Sequence, residues 1–242
     1  MSTLATFGLT DMLTLSTSLR QIGQGAANLT IVAQRMVRHL YDNLSDEQGQ
    51  PACVLLRCFK LHPFGALPPE LATIAQSQSP ETLLPHLKCL VLLGTLGQQP
   101  EWCKPQESAG HQVIPLLNTA MVQQAPMIAQ LFQQLGVEIG TALDPDPALI
   151  VEMAQHSYNI FYVPHALGSP YIPAQEHFVR RHGVQSVLGF GGVLPDGNFY
   201  AFVMFCRVLV SRDTAEMFKT IAASSKLAMI PFCRRVFADR PV

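Results

Sequence analysis

The stretch SVLGFGGVLPDGNFYAFVMFCRVLV, Ser186 to Val210, limits the possible folds of this chain more than any other segment. Two apolar runs flank Pro195-Asp196-Gly197-Asn198, and Asp-Gly between apolar runs is the strongest short-range sign of a β-hairpin. In a strand, alternate residues face opposite ways. Phe199, Ala201, Val203 and Phe205 then share one face, and Tyr200, Phe202, Met204 and Cys206 share the other. Neither set suits water. The sheet must be covered on both sides, one side by packed helices and the other by helix, loop or ligand. In the first strand Gly189 and Gly191 share a face. Glycine inside a strand marks a bulge or the close approach of another group. Two readings stay open: a helix or aromatic ring packs on this glycine floor, or a ligand lies there.

The remaining elements follow from spacing. Helices are expected over Thr10–Ile22 and from Asn28, an N-cap residue, to Leu44, with Leu29, Val32, Met36 and Leu40 at helical intervals. The continuous apolar run Ala52–Leu61 reads as a central strand, and Lys88–Gly97 as a second buried one. Between them Pro68-Pro69 opens a short helix. Val113–Leu117 fits a third, short strand. A helix is expected over Met121–Leu143, kinked or started at Pro126, then a short helix over 148–155 and a strand over Asn159–Val163. The segment 164–183 reads as a loop followed by a helix from about Pro173. The last helix is expected over Asp213–Phe232, capped by Asp213 and Glu216 as a D-x-x-E box. Its inner stripe is Phe218, Ile221, Ala222, Ser225 and Ala228. This order predicts an α+β fold, an antiparallel sheet flanked by helices on both faces.

Composition narrows the function. Of 242 residues, 48% are hydrophobic and only 14% charged, which fills a sizeable core and argues against disorder. A net charge of −1 leaves no basic field for nucleic acid or an anionic membrane. Low charge with a mean hydropathy of +0.22 points to apolar surface covered by a partner. No apolar run reaches the length of a membrane span. The first residues, MSTLATFGLTDMLTL, lack the basic start of a secretory signal, so a cytoplasmic location is expected. The six cysteines show no C-x-x-C pair. Cys53, Cys58, Cys89 and Cys206 fall in apolar runs, where buried free thiols are expected.

The run HGVQSVLGFGGVLPDGNFYAFVMFCRVLVSRDTAEMFKTIAASSKLAMIPF resembles the C-terminal half of a GAF domain, and the helix from Asn28 followed by the strand Ala52–Leu61 is similar to the start of that family. The set GSPYIPAQ…SVLGFGG…LP-x-G further resembles the GAF-like input module at the front of bacterial multidomain histidine kinases. The resemblance covers roughly residues 10–232. It implies a PAS-related fold in one domain spanning 1–242, with a core over about 28–232 and helical extensions at both ends. It also implies small-molecule or redox sensing, a homodimer through the terminal helices, and an output domain or kinase on the same or another chain. No ligand or cofactor is fixed by it.

No catalytic motif is visible: G-x-S-x-G, H-E-x-x-H, a Walker loop and an EF-hand loop are absent, and GFGG lacks dinucleotide spacing. No metal site is expected. Kinase phosphoacceptor and ATP-binding motifs are missing, as are the bilin-attaching cysteine and the cyclic-nucleotide signature that some GAF domains carry. A purely structural dimerisation module, and a cysteine-dependent reductase with a GAF fold, remain as alternatives; for the latter, Cys53, Cys58 and Cys206 occupy separate strand positions. The pocket is expected between the sheet and residues 161–178. Phe161, Tyr171, Ile172 and Phe178 would form its apolar side, and His165, Gln175 and His177 its polar handles. Gly189 and Gly191 would leave room above the opposing strand.

Overall fold

The structure, a computed structural model, describes residues 1–144 and 159–238. Its centre is a six-stranded sheet built from β3 (Cys53–Pro63), β4 (Lys88–Gly97), β5 (Val113–Pro115), β6 (Ile160–Val163), β7 (Ser186–Val193) and β8 (Phe199–Cys206). The spatial order is β5-β4-β3-β8-β7-β6, and every neighbouring pair is antiparallel. The apolar run of β3 is thus the middle of the sheet, paired with β4 on one side and β8 on the other. A separate parallel pair joins β1 (Ser2–Thr3) to β2 (Leu44–Ser45). The short helix expected over 148–155 lies outside the described residues.

The hairpin that opened the sequence reading forms in full. β7 and β8 pair from Ser186↔Cys206 to Val193↔Phe199, and all their residues are buried. The turn holds three residues. Leu194 N–H donates to the Asn198 carbonyl (3.0 Å) and Gly197 N–H to the Leu194 carbonyl (2.9 Å). Gly197 takes φ +77°, which costs a glycine nothing. This is the three-residue loop with a left-handed glycine.

Helices cover one face of the sheet. α1 (Leu9–Gln21), α2 (Leu29–Asn43) and α7 (Arg212–Met229) bury their apolar stripes against Leu56, Val91, Leu188, Phe190 and Phe202. Leu29, Val32, Met36 and Leu40 of α2 are fully buried, as its spacing predicts, and the Asn28 side chain accepts the Ile31 N–H (3.0 Å). Full burial of each such residue contributes about 1.5–3 kcal/mol. α7 keeps its predicted stripe, with Phe218, Ile221, Ala222 and Ser225 fully buried. Its cap differs from the expected box. Ser211 accepts the Thr214 N–H (3.0 Å), and Glu216 pairs instead with Arg212 and Lys219. Leu4 and Phe7 belong to this same core cluster. A short helix α3 (Pro69–Ser77) joins this side near β5, with Ala75 in the same cluster.

The other face is more irregular. The single helix expected over Met121–Leu143 is three: α4 (Thr119–Gln123), α5 (Pro126–Gln134) and α6 (Ile139–Leu143). Pro126 lacks the N–H that would continue α4 and so starts α5. At the other end Val137 N–H bonds the Phe132 carbonyl and Gly136 N–H the Gln133 carbonyl, with Gly136 at φ +72°. That double bond and the left-handed glycine are a Schellman stop. The helix expected from Pro173 is also altered. Gln175–Arg180 is a π-helix, with Val179 N–H reaching back five residues to Ala174 (3.1 Å).

Candidate functional site

Over this irregular face, two adjoining cavities of about 310 and 250 Å³ share Arg57, His111, Met127, Pro173 and Phe205. Together they form a cleft. Its floor is the sheet, through Arg57 and Phe59 of β3 and Val203 and Phe205 of β8; one wall is α5, through Met127 and Leu131; the other is the 172–178 segment. The segment is held by aromatic stacking. Phe178 stands edge-on to Phe205 (centroids 5.0 Å) and to Trp102 (5.6 Å).

The sequence-predicted site residues divide. Ile172, His177 and Phe178 line the cleft. His165 and Tyr171 are exposed elsewhere on the loop. Gln175 is spent on the loop itself: its Nε2 donates to the carbonyls of Ala166 (3.0 Å) and Ile172 (2.7 Å), and its Oε1 accepts the Gly168 N–H (2.7 Å). Phe161, Gly189 and Gly191 lie below, in close packing. A Cβ built on Gly189 would come 3.2 Å from the Phe161 Cβ and 2.8 Å from the Phe202 carbonyl. One built on Gly191 would overlap the Tyr200 carbonyl oxygen. The glycine floor is thus occupied by an aromatic ring and by neighbouring backbone.

The residue that sequence reading passed over is Arg57. It sits mid-strand, 7% exposed, and points from the centre of the sheet into both cavities. Among the described residues it has no ion-pair partner, and its buried Nε has no hydrogen-bond partner. Burial pushes its pKa down to about 10, which leaves it a cation at neutral pH. His111 stands at the cleft rim with Nδ1 3.1 Å from the Ala109 carbonyl. Burial, and then the Arg57 charge, lower its pKa, so the neutral imidazole is favoured there. The signal was present in the sequence: a charged residue inside an apolar central strand.

A second buried cation behaves differently. Lys60, fully buried on the opposite face of β3, donates to Asp196 Oδ2 (2.8 Å) and to the Leu61 carbonyl (3.2 Å). Burial lowers its pKa while Asp196 opposes the shift. This pair ties the central strand to the hairpin turn.

The thiols lie away from the cleft. Cys53 and Cys206 are partners in the β3–β8 register, a proximity that spacing alone did not reveal. They and Cys58 belong to the helix-covered cluster. A hydrogen bond with Cys53, together with burial, raises the Cys206 pKa, and burial raises that of Cys58. Among the described residues no group of three His, Cys, Asp or Glu side chains could hold a metal ion. No helix among them is long and apolar enough to cross a membrane.

No family model matches the chain, and no curated protein matches it. Among solved structures it is similar to the GAF domain of a phosphoenolpyruvate-protein phosphotransferase (ptsP) from Coxiella burnetii, over 93% of this chain and 95% of that one, at 12% identity and a TM-score of 0.43. At that distance the likeness carries nothing about ligand or activity, and the reading of the site rests on its own geometry.

Proposed function

We propose that the chain is a GAF-like regulatory module that binds a small molecule in the cleft between the sheet and the 172–178 segment. The supporting observation is the cleft itself: adjoining cavities of about 310 and 250 Å³, mostly apolar, with a few polar groups at floor and rim. That is the usual form of a small-molecule site. The wall is suited to respond. It is a π-helical turn, a local irregularity that recurs at functional sites. A ligand that binds one arrangement of this wall better than another shifts the population toward it. β8 floors the cleft and leads through residues 207–211 into α7, which packs on α1 across the sheet. In this reading α7 and α1 carry the change to a second copy and to an output domain or kinase on the same or another chain. In this reading Cys58 and Cys206 take no catalytic part, since burial disfavours their thiolates and they face away from the cleft.

The test uses N-phenyl-1-naphthylamine, a neutral apolar fluorophore. It should bind the purified protein, and Met127→Trp, which fills space shared by both cavities, should weaken it at least tenfold with an unchanged far-UV spectrum. Absent binding, or binding indifferent to Met127→Trp in folded protein, removes the cleft as the site.

A further inference from the structure

We infer that the cleft selects small apolar molecules carrying one anionic oxygen-bearing head group, a carboxylate or its like, which seats on Arg57. This rests on the cleft being the ligand site and adds the chemistry of what enters it.

Arg57 and Lys60 are both buried cations of β3, at 7% and 0% exposure, on opposite faces of the sheet. Lys60 has its carboxylate at 2.8 Å. Arg57 has none among the described residues, and its Nε is buried with no acceptor. Taking a charge out of water is costly unless the charge is paired and hydrogen-bonded. A guanidinium offers its donors in a planar fork that fits an oxyanion with two parallel hydrogen bonds. Here that fork sits at the floor of the cleft, in the middle of the sheet, so an anion reaching it must bring its remaining atoms between α5 and the 172–178 segment. Those walls are Met127, Ile128, Leu131, Pro173 and Phe178, which accept an apolar body.

The charge count sets the class. Among the described residues, Arg57 is the one Lys or Arg lining these cavities. A single fixed cation balances a monoanion and leaves a phosphate dianion half uncompensated. His111 at the rim, with its neutral form favoured and its Nδ1–H on the Ala109 carbonyl (3.1 Å), adds no second fixed charge.

The experiment is a matched pair of probes. 8-Anilinonaphthalene-1-sulfonate has the skeleton of N-phenyl-1-naphthylamine plus one anionic head. Wild-type protein should bind the sulfonate at least tenfold more tightly than the neutral compound. Arg57→Met should erase that preference, weakening the sulfonate at least tenfold relative to the neutral compound. Without ligand, Arg57→Met should unfold at a higher temperature than wild type, because it removes a buried charge that has no ion-pair partner among the described residues. Arg57→Gln, which keeps polarity without charge, should also lose the preference and serves if the methionine variant fails to fold. Equal affinity for the two probes in wild type, or a preference that survives in either folded variant, overturns the assignment of Arg57. If the neutral probe does not bind at all, the cleft reading itself has failed.

Discussion

Arg57 and Lys60 stand three residues apart on one strand, and the pleat sends them to opposite faces. At the residue scale their environments make separable predictions. Asp196→Ala leaves Lys60 buried without its carboxylate, and breaking such a pair from one side costs about 3 kcal/mol. Lys60→Met combined with Asp196→Ala should recover most of that loss, as apolar replacement of both partners usually does. Urea midpoints check both variants; an Asp196→Ala protein as stable as wild type would show that the pair contributes nothing. His62, next to this pair, has its pKa pushed down to about 4 by burial first and Lys60 second. Its neutral form is therefore the native one, and the unfolded chain binds the extra proton between pH 6.5 and 4. Stability contributed by this group is whole above pH 6.5 and is lost as pH falls through that window, with a ceiling of roughly 3 kcal/mol. His62→Asn should flatten that part of the stability curve measured from pH 7 to 4.

At the scale of elements, the β7–β8 hairpin depends on two glycines for different reasons. Gly191 lies where strand β8 comes so close that a methyl group would overlap the Tyr200 carbonyl oxygen, with the Ala201 Cα 2.9 Å away. Gly189 faces both the Phe202 carbonyl and the ring of Phe161. Neither obstacle at Gly191 is a side chain that can rotate away, whereas Phe161 can shift slightly at Gly189. Gly191→Ala should cost about 2–4 kcal/mol and Gly189→Ala less, both read from chemical denaturation. A silent Gly191→Ala would mean the two strands do not approach in this way. The same geometry makes these glycines poor places to test ligand binding, because a bulky replacement attacks the sheet before it reaches the cleft.

At the scale of the molecule, one sheet separates two apolar clusters of different character. Three long helices and α3 close one side, while α4, α5, α6 and an aromatic-stacked segment close the other and leave the cleft. The helical side carries exposed leucines, Leu9 and Leu13 one turn apart on α1 and Leu227 on α7, at 64%, 55% and 55% exposure. In the proposed regulatory reading these helices form the contact between two copies. Light scattering at high micromolar concentration should then give a dimer mass, and Leu13→Glu should shift it toward the monomer with unchanged helix content. A monomer in the unaltered protein at that concentration removes the dimer from the reading.

Local patterns were enough for the elements that repeat a simple period or carry a capping residue. The Asp196-Gly197 turn, the Lys88–Gly97 strand, the Asn28 cap and the stripes of α2 and α7 all follow from neighbours within a few residues. Double-sided apolar strands likewise implied cover on both faces before any topology was known. The start at Pro126 was legible too; what periodicity misjudged was decided by competition between local signals: Gly136 stops the helix expected to run on to 143, and Ser211 captures the cap that Asp213 and Glu216 were expected to form. The cleft is a tertiary product. Ile172, His177 and Phe178 were legible as its cover, but Trp102, His111 and Met127 come from elements whose meeting no spacing records. Arg57 shows the limit most plainly. Its charge in an apolar strand is visible in the sequence; that Lys60 finds a carboxylate across 136 residues of chain while Arg57 finds none among the described residues is settled only by how the strands pair and which side chains that pairing brings within reach.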